Sequence, residues 1–208
     1  MESSTHLFLF GSSPPFTPQL ASKFENALEQ PTVTVLYIER EGSVDYLPKY
    51  TSGMKVEADH FPLKSHYSEQ ELNRLSGSGG VIIGGGDTLA YHDYIIKTEL
   101  TNILQDKFQQ GQPIAGFSAG ALISPEYCVI SPEDHPERIQ VVKTGIGLLK
   151  GVVISAHFLE WNEHKNLEAA LKRTGVPKGY GIAEGGGIYL KDQQLVGVEG
   201  FLHIEHQK

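Results

Sequence analysis

Internal disulfides are excluded, because the 208 residues hold one cysteine, Cys128. A lone thiol fits a reducing compartment. A basic excess is missing as well. Against 17 Lys and Arg stand 25 Asp and Glu, a formal net charge of −8, and nucleic acid or an anionic membrane surface demands a basic face. No apolar run approaches the roughly 20 residues of a membrane span. Met1 to Gly11 lacks the basic segment and long apolar core of a signal peptide. Repeats, low-complexity tracts and Pro-rich linkers are absent too, so the chain reads as a single domain over residues 1–208, cytoplasmic, with neither nucleic acid nor membrane as partner. A hydrophobic share of 39% and a charged share of 20% are ordinary for a globular protein.

What is present is an alternation of short apolar runs and longer helical stretches, the pattern of an α/β fold with a largely parallel sheet. Leu7–Phe10 reads as the first strand. Leu20, Phe24 and Leu28 lie on one face of a helix from about Thr17 to Leu28. Thr32–Ile38 is a β-branched strand, and a further strand is expected near Val56–Leu63. Ser68 and Glu71 form a capping box at a helix start. Val81–Ile83 runs as a buried strand into Gly84-Gly85-Gly86-Asp87, and a long helix with a break covers Leu89–Gln110. Later strands are expected at Tyr127–Ile130, Ile139–Val142 and Val152–Ser155, then a helix at Glu160–Lys172 and an antiparallel meander over Tyr180–Glu205.

The chemistry centres on Gly116-Phe117-Ser118-Ala119-Gly120. An apolar run precedes this Gly-x-Ser-x-Gly and small residues follow it, which places Ser118 on a tight strand-to-helix turn with its hydroxyl outward. Such a serine needs a base, usually a histidine oriented by a carboxylate. Of the nine histidines, His157 stands just beyond the strand Gly151–Ser155, at the carboxyl end where α/β sites gather. His60, His66, His135, His203 and His206 lie in less suitable places, and His164 follows on the next helix. Glu184, closing an apolar strand, is the first choice of acid, with Glu160 and Asp192 competing. The Gly84–Gly86 turn offers bare N–H groups for half of an oxyanion hole, and the N–H of Ala119 offers the other half. No lysine follows in phosphate-loop register, Asp87 can serve simply as a helix cap, and no histidine pair has metal-ligand spacing. No metal is expected.

Ile82-Ile83-Gly84-Gly85-Gly86-Asp87-Thr88, Gly116-Phe117-Ser118-Ala119-Gly120-Ala121, Ala156-His157-Phe158 and Gly181-Ile182-Ala183-Glu184-Gly185, in that order, resemble the peptidase E (aspartyl dipeptidase) and cyanophycinase family. That family is similar in fold to the class I glutamine amidotransferases. The resemblance implies a flavodoxin-like, doubly wound sheet and a cofactor-free serine peptidase. It also implies Ser118 as nucleophile, His157 as base, Glu184 as its orienting acid, Gly86 and Ala119 as oxyanion donors, and Gly85, Asp87 and Lys165 at the substrate. Serine where glutaminases carry cysteine disfavours glutamine hydrolysis.

Two departures bear on specificity. Asp87 stands where the family often has asparagine, and the segment after His157 has no arginine before Arg173. Lys165 offers charge there but not the planar fork of a guanidinium. The expected partner is therefore a small peptide, aspartyl-x among the candidates, with a homodimer the one assembly considered. The rival functions are a cyanophycinase-like hydrolase of β-linked aspartyl polymers and a catalytically silent binding module on the same scaffold.

Overall fold

In a parallel sheet covered on both faces, strands read as uninterrupted apolar runs. Four of the strands here are of that kind. The computed structural model describes residues 3–207. In chain order its strands are β1 (His6–Phe10), β2 (Thr32–Tyr37), β3 (Glu57–Pro62), β4 (Gly80–Ile83), β5 (Ile114–Phe117), β6 (Tyr127–Ile130), β7 (Val141–Thr144), β8 (Val152–Ser155), β9 (Lys178–Ile182), β10 (Gly187–Lys191), β11 (Gln194–Glu199) and β12 (Leu202–His206). The α-helices are α1 (Pro18–Ala27), α2 (Ser43–Tyr46), α3 (Glu69–Ser76), α4 (Thr88–Ile96), α5 (Leu100–Gln109), α6 (Ala119–Ile123) and α7 (His164–Thr174).

The main sheet has seven strands in the order β11-β10-β1-β5-β4-β2-β3. The five from β1 to β3 run parallel, and β10 and β11 close one side antiparallel. Alternate side chains of a strand face opposite sides, and the core divides accordingly. Leu7, Leu9, Leu36, Val81, Ile83 and Ile114 pack with residues of α3 to α6. Phe8, Phe10, Val33, Val35, Ile82 and Phe117 pack with Leu20 and Phe24 of α1. Covering both faces makes the sheet doubly wound. The second side is aromatic: Phe10 stacks on Phe117 with centroids 4.4 Å apart, and Phe8 on Tyr189 at 4.4 Å. Each such buried side chain contributes about 1.5–3 kcal/mol.

Local signals hold where they are strongest. Ser68 Oγ accepts the N–H of Glu71 while the Glu71 carboxylate accepts the N–H of Ser68, the capping box in full. The stretch from Leu89 to Gln110 is two helices, because Thr98 Oγ1 donates to the Tyr94 carbonyl at 2.7 Å and closes off α4. Three elements differ from expectation. β7 begins two residues late, leaving Ile139 exposed. α7 begins at His164, not Glu160, because Asn162 takes a left-handed φ of 53°. The C-terminal antiparallel strands divide between two sheets: β10 and β11 extend the main one, while β9 pairs with β8 and β12 in a separate three-stranded sheet. Gly200, at φ 75°, turns the chain from one sheet to the other.

Strand order sets the site. β1, β5 and β4 are neighbours, so their carboxyl ends place Gly11, Ser118 and Gly84 side by side. The small sheet joins them there, with the N–H of His157 donating to the Gly11 carbonyl at 2.9 Å.

Candidate active site

Ser118 links β5 to α6 at φ 48° and ψ −107°, a conformation that L residues rarely adopt and that costs on the order of 1–3 kcal/mol. The two flanking glycines permit it. A Cβ at Gly116 would run into the Gly120 carbonyl, and one at Gly120 into the Ile83 carbonyl of β4. The N–H of Ser118 donates to the Phe10 carbonyl at 3.0 Å, and that of Gly120 to the Gly84 carbonyl at 3.2 Å. The turn is thus clamped from both neighbouring strands with the hydroxyl projecting past their ends.

His157 reaches it from the small sheet, also at a positive φ, 48°. Its Nε2 lies 3.0 Å from Ser118 Oγ and its Nδ1 lies 2.7 Å from Glu184 Oε1. Glu184 follows β9 in the tight turn to β10. Its backbone N–H donates to Glu160 Oε2 at 3.1 Å, so Glu160 braces the turn instead of meeting the ring. The histidine is largely enclosed, with 14% of its side chain exposed, against 48% for Glu184. Asp192 stands elsewhere. Its carboxylate accepts the N–H of Thr5 at 2.8 Å, at the amino end of β1 and about 20 Å of strand from Gly11.

The Gly84–Asp87 turn lies beside the serine. Gly85 is tight against it, since a Cβ there would sit 3.3 Å from Ser118 Cβ. Both polar atoms of Gly85 are engaged: its N–H donates to the Tyr50 hydroxyl at 2.9 Å and its carbonyl accepts from Tyr91 at 3.3 Å. Burial pushes the Tyr50 phenol up to about 12, and burial also pushes Tyr91 up, so both stay protonated. The N–H groups of Gly86 and Ala119 have no acceptor among the described residues. Free backbone N–H groups aimed at a reacting carbonyl can stabilise a developing oxyanion.

Asp87 accepts the N–H of Ala90 at 2.8 Å and caps α4. Near it stands Asp134, on the loop after β6, accepting the Thr88 hydroxyl at 2.5 Å. Burial raises the Asp134 carboxyl above the usual range. The Thr88 hydrogen bond opposes that rise, Asp87 adds to it and His157 opposes it. Lys165 is exposed on the first turn of α7, and among the described residues no hydrogen bond or ion pair ties it to the serine or histidine. His164 packs instead against Phe158, with centroids 4.5 Å apart. No three His, Cys, Asp or Glu side chains are gathered as metal ligands among the described residues, and no helix there is long and apolar enough to cross a membrane.

This arrangement can be set beside known proteins. The model of the family described as Peptidase family S51 matches residues 18–198. The chain belongs to peptidase family S51. It is similar to a cyanophycinase from Synechococcus elongatus, 32% identical over 120 residues, which are 56% of this chain and 37% of that protein. It is also similar to a peptidase E from Shewanella sp. (strain W3-18-1), 32% identical over 59 residues, 28% of this chain and 25% of the relative. This S51 chain therefore spans about a third of the length of the curated relatives it matches first.

Among solved structures, a peptidase from an acI-B1 Actinobacterium superposes with a TM-score of 0.69 at 20% identity, covering 98% of this chain and 91% of the other. A putative peptidase E protein from Listeria monocytogenes EGD-e gives 0.70 at 13% identity, covering 96% and 100%. At such identities the likeness shows the fold, a peptidase E-like one.

Sequence reasoning passed over three residues at or near this candidate site. Asp134 was hidden in a charged, Pro-bounded loop with no periodicity. Glu163 is 3% exposed and accepts the hydroxyls of Ser131 and Ser155 at 2.6 and 3.1 Å, yet in sequence it looks like one more helix-surface acid. Trp161 lies on the histidine ring. Only its being the one tryptophan of the chain singled it out.

Proposed function

We propose that this chain is a serine peptidase of short peptides, working through an acyl-enzyme on Ser118. The observation that carries the reading is the hydrogen-bonded line Ser118–His157–Glu184, with contacts of 3.0 and 2.7 Å. Ser118 Oγ attacks the peptide carbonyl as its proton passes to His157 Nε2. Glu184 holds Nδ1–H and stabilises the imidazolium without taking the proton. The carbonyl oxygen becomes an oxyanion between the N–H groups of Gly86 and Ala119. The C–N bond then breaks, the leaving amine takes the proton from Nε2, and an ester remains on Ser118. Water, deprotonated by the same nitrogen, attacks the ester, and the acid and Ser118 hydroxyl are released.

Substrate charge is set by what surrounds the serine. The carboxylates of Asp87 and Asp134 favour a peptide whose free α-amino group enters beside them, which supports dipeptides and short peptides over internal segments of long chains. Lys165, exposed at the start of α7, is the cation we assign to an acidic side chain such as aspartate. The likeness to a cyanophycinase over 120 residues favours a second reading, hydrolysis of β-linked aspartyl bonds. Turnover of Asp-x, Glu-x, neutral and β-aspartyl dipeptides by wild type and Ser118→Ala tests both. Cleavage of Asp-x peptides that disappears in Ser118→Ala supports the first reading, and preference for the β-linked member supports the second. Turnover retained in Ser118→Ala removes the mechanism, and silence of the wild type across the panel favours a binding module.

A further inference from the structure

Trp161 and His157 are stacked, with ring centroids 4.2 Å apart and planes 22° from parallel. The loop between β8 and α7 builds this pair. Trp161 N–H donates to the His157 carbonyl at 2.9 Å, and Glu163 N–H to the Phe158 carbonyl at 2.9 Å, so the chain turns once and brings residue 161 back over residue 157. Asn162, at φ 53°, stops that turn from continuing as helix and fixes where the indole falls. Glu163 locks the end of the loop by accepting from Ser131, Ser155 and Asn166.

The imidazole has both nitrogens committed in its own plane, one to Ser118 and one to Glu184. A ring held at two edges can still rock about the line joining them, which tilts both hydrogen bonds out of plane. A flat partner against its face opposes that motion. The indole also discriminates between charge states. A neutral imidazole gains stacking alone, whereas an imidazolium gains in addition the attraction of a cation to the electron-rich face of tryptophan. The other groups facing the ring are carboxylates: Glu184 directly, Glu160 through the Glu184 N–H, and Asp134 with Asp87 behind it.

We propose that Trp161 is a positioning residue that holds the His157 imidazole in the plane of its two hydrogen bonds and stabilises its cationic form, and that indole emission reports the protonation of that ring. The kinetic half rests on His157 acting as general base; the spectroscopic half rests on the stack alone. An excited indole in contact with an imidazolium can pass an electron to it and return without emitting, so emission falls when the cation forms. With one tryptophan in the chain, the signal has a single source.

The test uses the intact protein. Tryptophan emission is followed between about pH 5 and 9, the range in which histidine titrates, in wild type and His157→Gln. Emission falls on acidification in wild type and the step vanishes in His157→Gln. Trp161→Leu keeps an apolar cover over the ring but removes the aromatic face. It lowers kcat/KM roughly tenfold, the equivalent of about 1.4 kcal/mol, mainly through kcat, and moves the acidic limb of the pH profile to lower pH. Trp161→Phe recovers most of both.

Emission that ignores pH, or a step that survives in His157→Gln, overturns the stack as a reporter. Wild-type kcat and pH profile in Trp161→Leu overturn the positioning role. A His157-dependent step in a protein that cleaves no peptide keeps the stack and removes the proposed activity instead.

Discussion

Two residues of the candidate site, Ser118 and His157, share a positive φ that L residues rarely adopt, each at 48°. Each is held there by a backbone hydrogen bond to the end of β1, from Ser118 to Phe10 and from His157 to Gly11. One strand end therefore sets the distance between Ser118 and His157. Glu184 completes the line from a half-exposed turn, and in the proposed mechanism it fixes the ring's tautomer and stabilises the imidazolium. Glu184→Gln keeps the size and loses the charge. It is expected to lower kcat by on the order of 10³–10⁴-fold with little change in KM, measured on whichever dipeptide the wild type cleaves best. A loss confined to KM would instead make Glu184 a substrate contact.

At the scale of elements, the decisive unit is β4–β5–α6. Gly120 brings α6 against the carbonyl end of β4 with no room for a methyl group. Gly120→Ala must push helix from strand and is expected to cost about 2–4 kcal/mol, seen as a lowered midpoint in urea, and to disturb the N–H of Ala119 as well. An unchanged midpoint would mean that the turn is softer than its geometry implies. This unit was legible in the sequence because its physical demand is local: an apolar run, two glycines and a serine can satisfy few other turns. The capping box of α3 was legible for the same reason.

The loop between β8 and α7 was not legible. Glu160 and Glu163 are good helix formers, and the burial of Glu163 and the left-handed Asn162 unwind the stretch between them. The division of the C-terminal strands between two sheets escaped for a related reason. Alternation marks a strand, but it does not name the partner.

For the whole molecule, buried ionisable groups set the alkaline response. Lys107 on α5 is buried and donates to the Ser76 and Ser78 carbonyls at 3.1 and 2.6 Å, beneath the end of α3. Burial lowers its ammonium from 10.5 to about 8. Between those values the unfolded chain binds the extra proton, so this group makes stability rise with pH from about 8 to 10.5. Tyr50 and Tyr67 act oppositely, since burial raises both from 10.0 to about 12, and stability is lost as pH climbs above about 10 where the unfolded phenols ionise first. Burial also raises the Cys128 thiol from 9.0 to about 12, so urea unfolding at a series of pH values should show stability rising above about pH 8, levelling off from about 9 and falling above about 10. Lys107→Met should flatten that rise, and an unaltered rise would assign it to other groups.

Ser118 is proposed as a nucleophile made reactive by His157. The most direct test needs no knowledge of the substrate: reaction with a small fluorophosphonate, read by mass spectrometry of the digested protein. One adduct is expected, on the peptide containing Ser118, formed far more slowly in His157→Ala. An adduct on a different serine, or a rate at Ser118 unchanged by His157→Ala, would contradict the proposal.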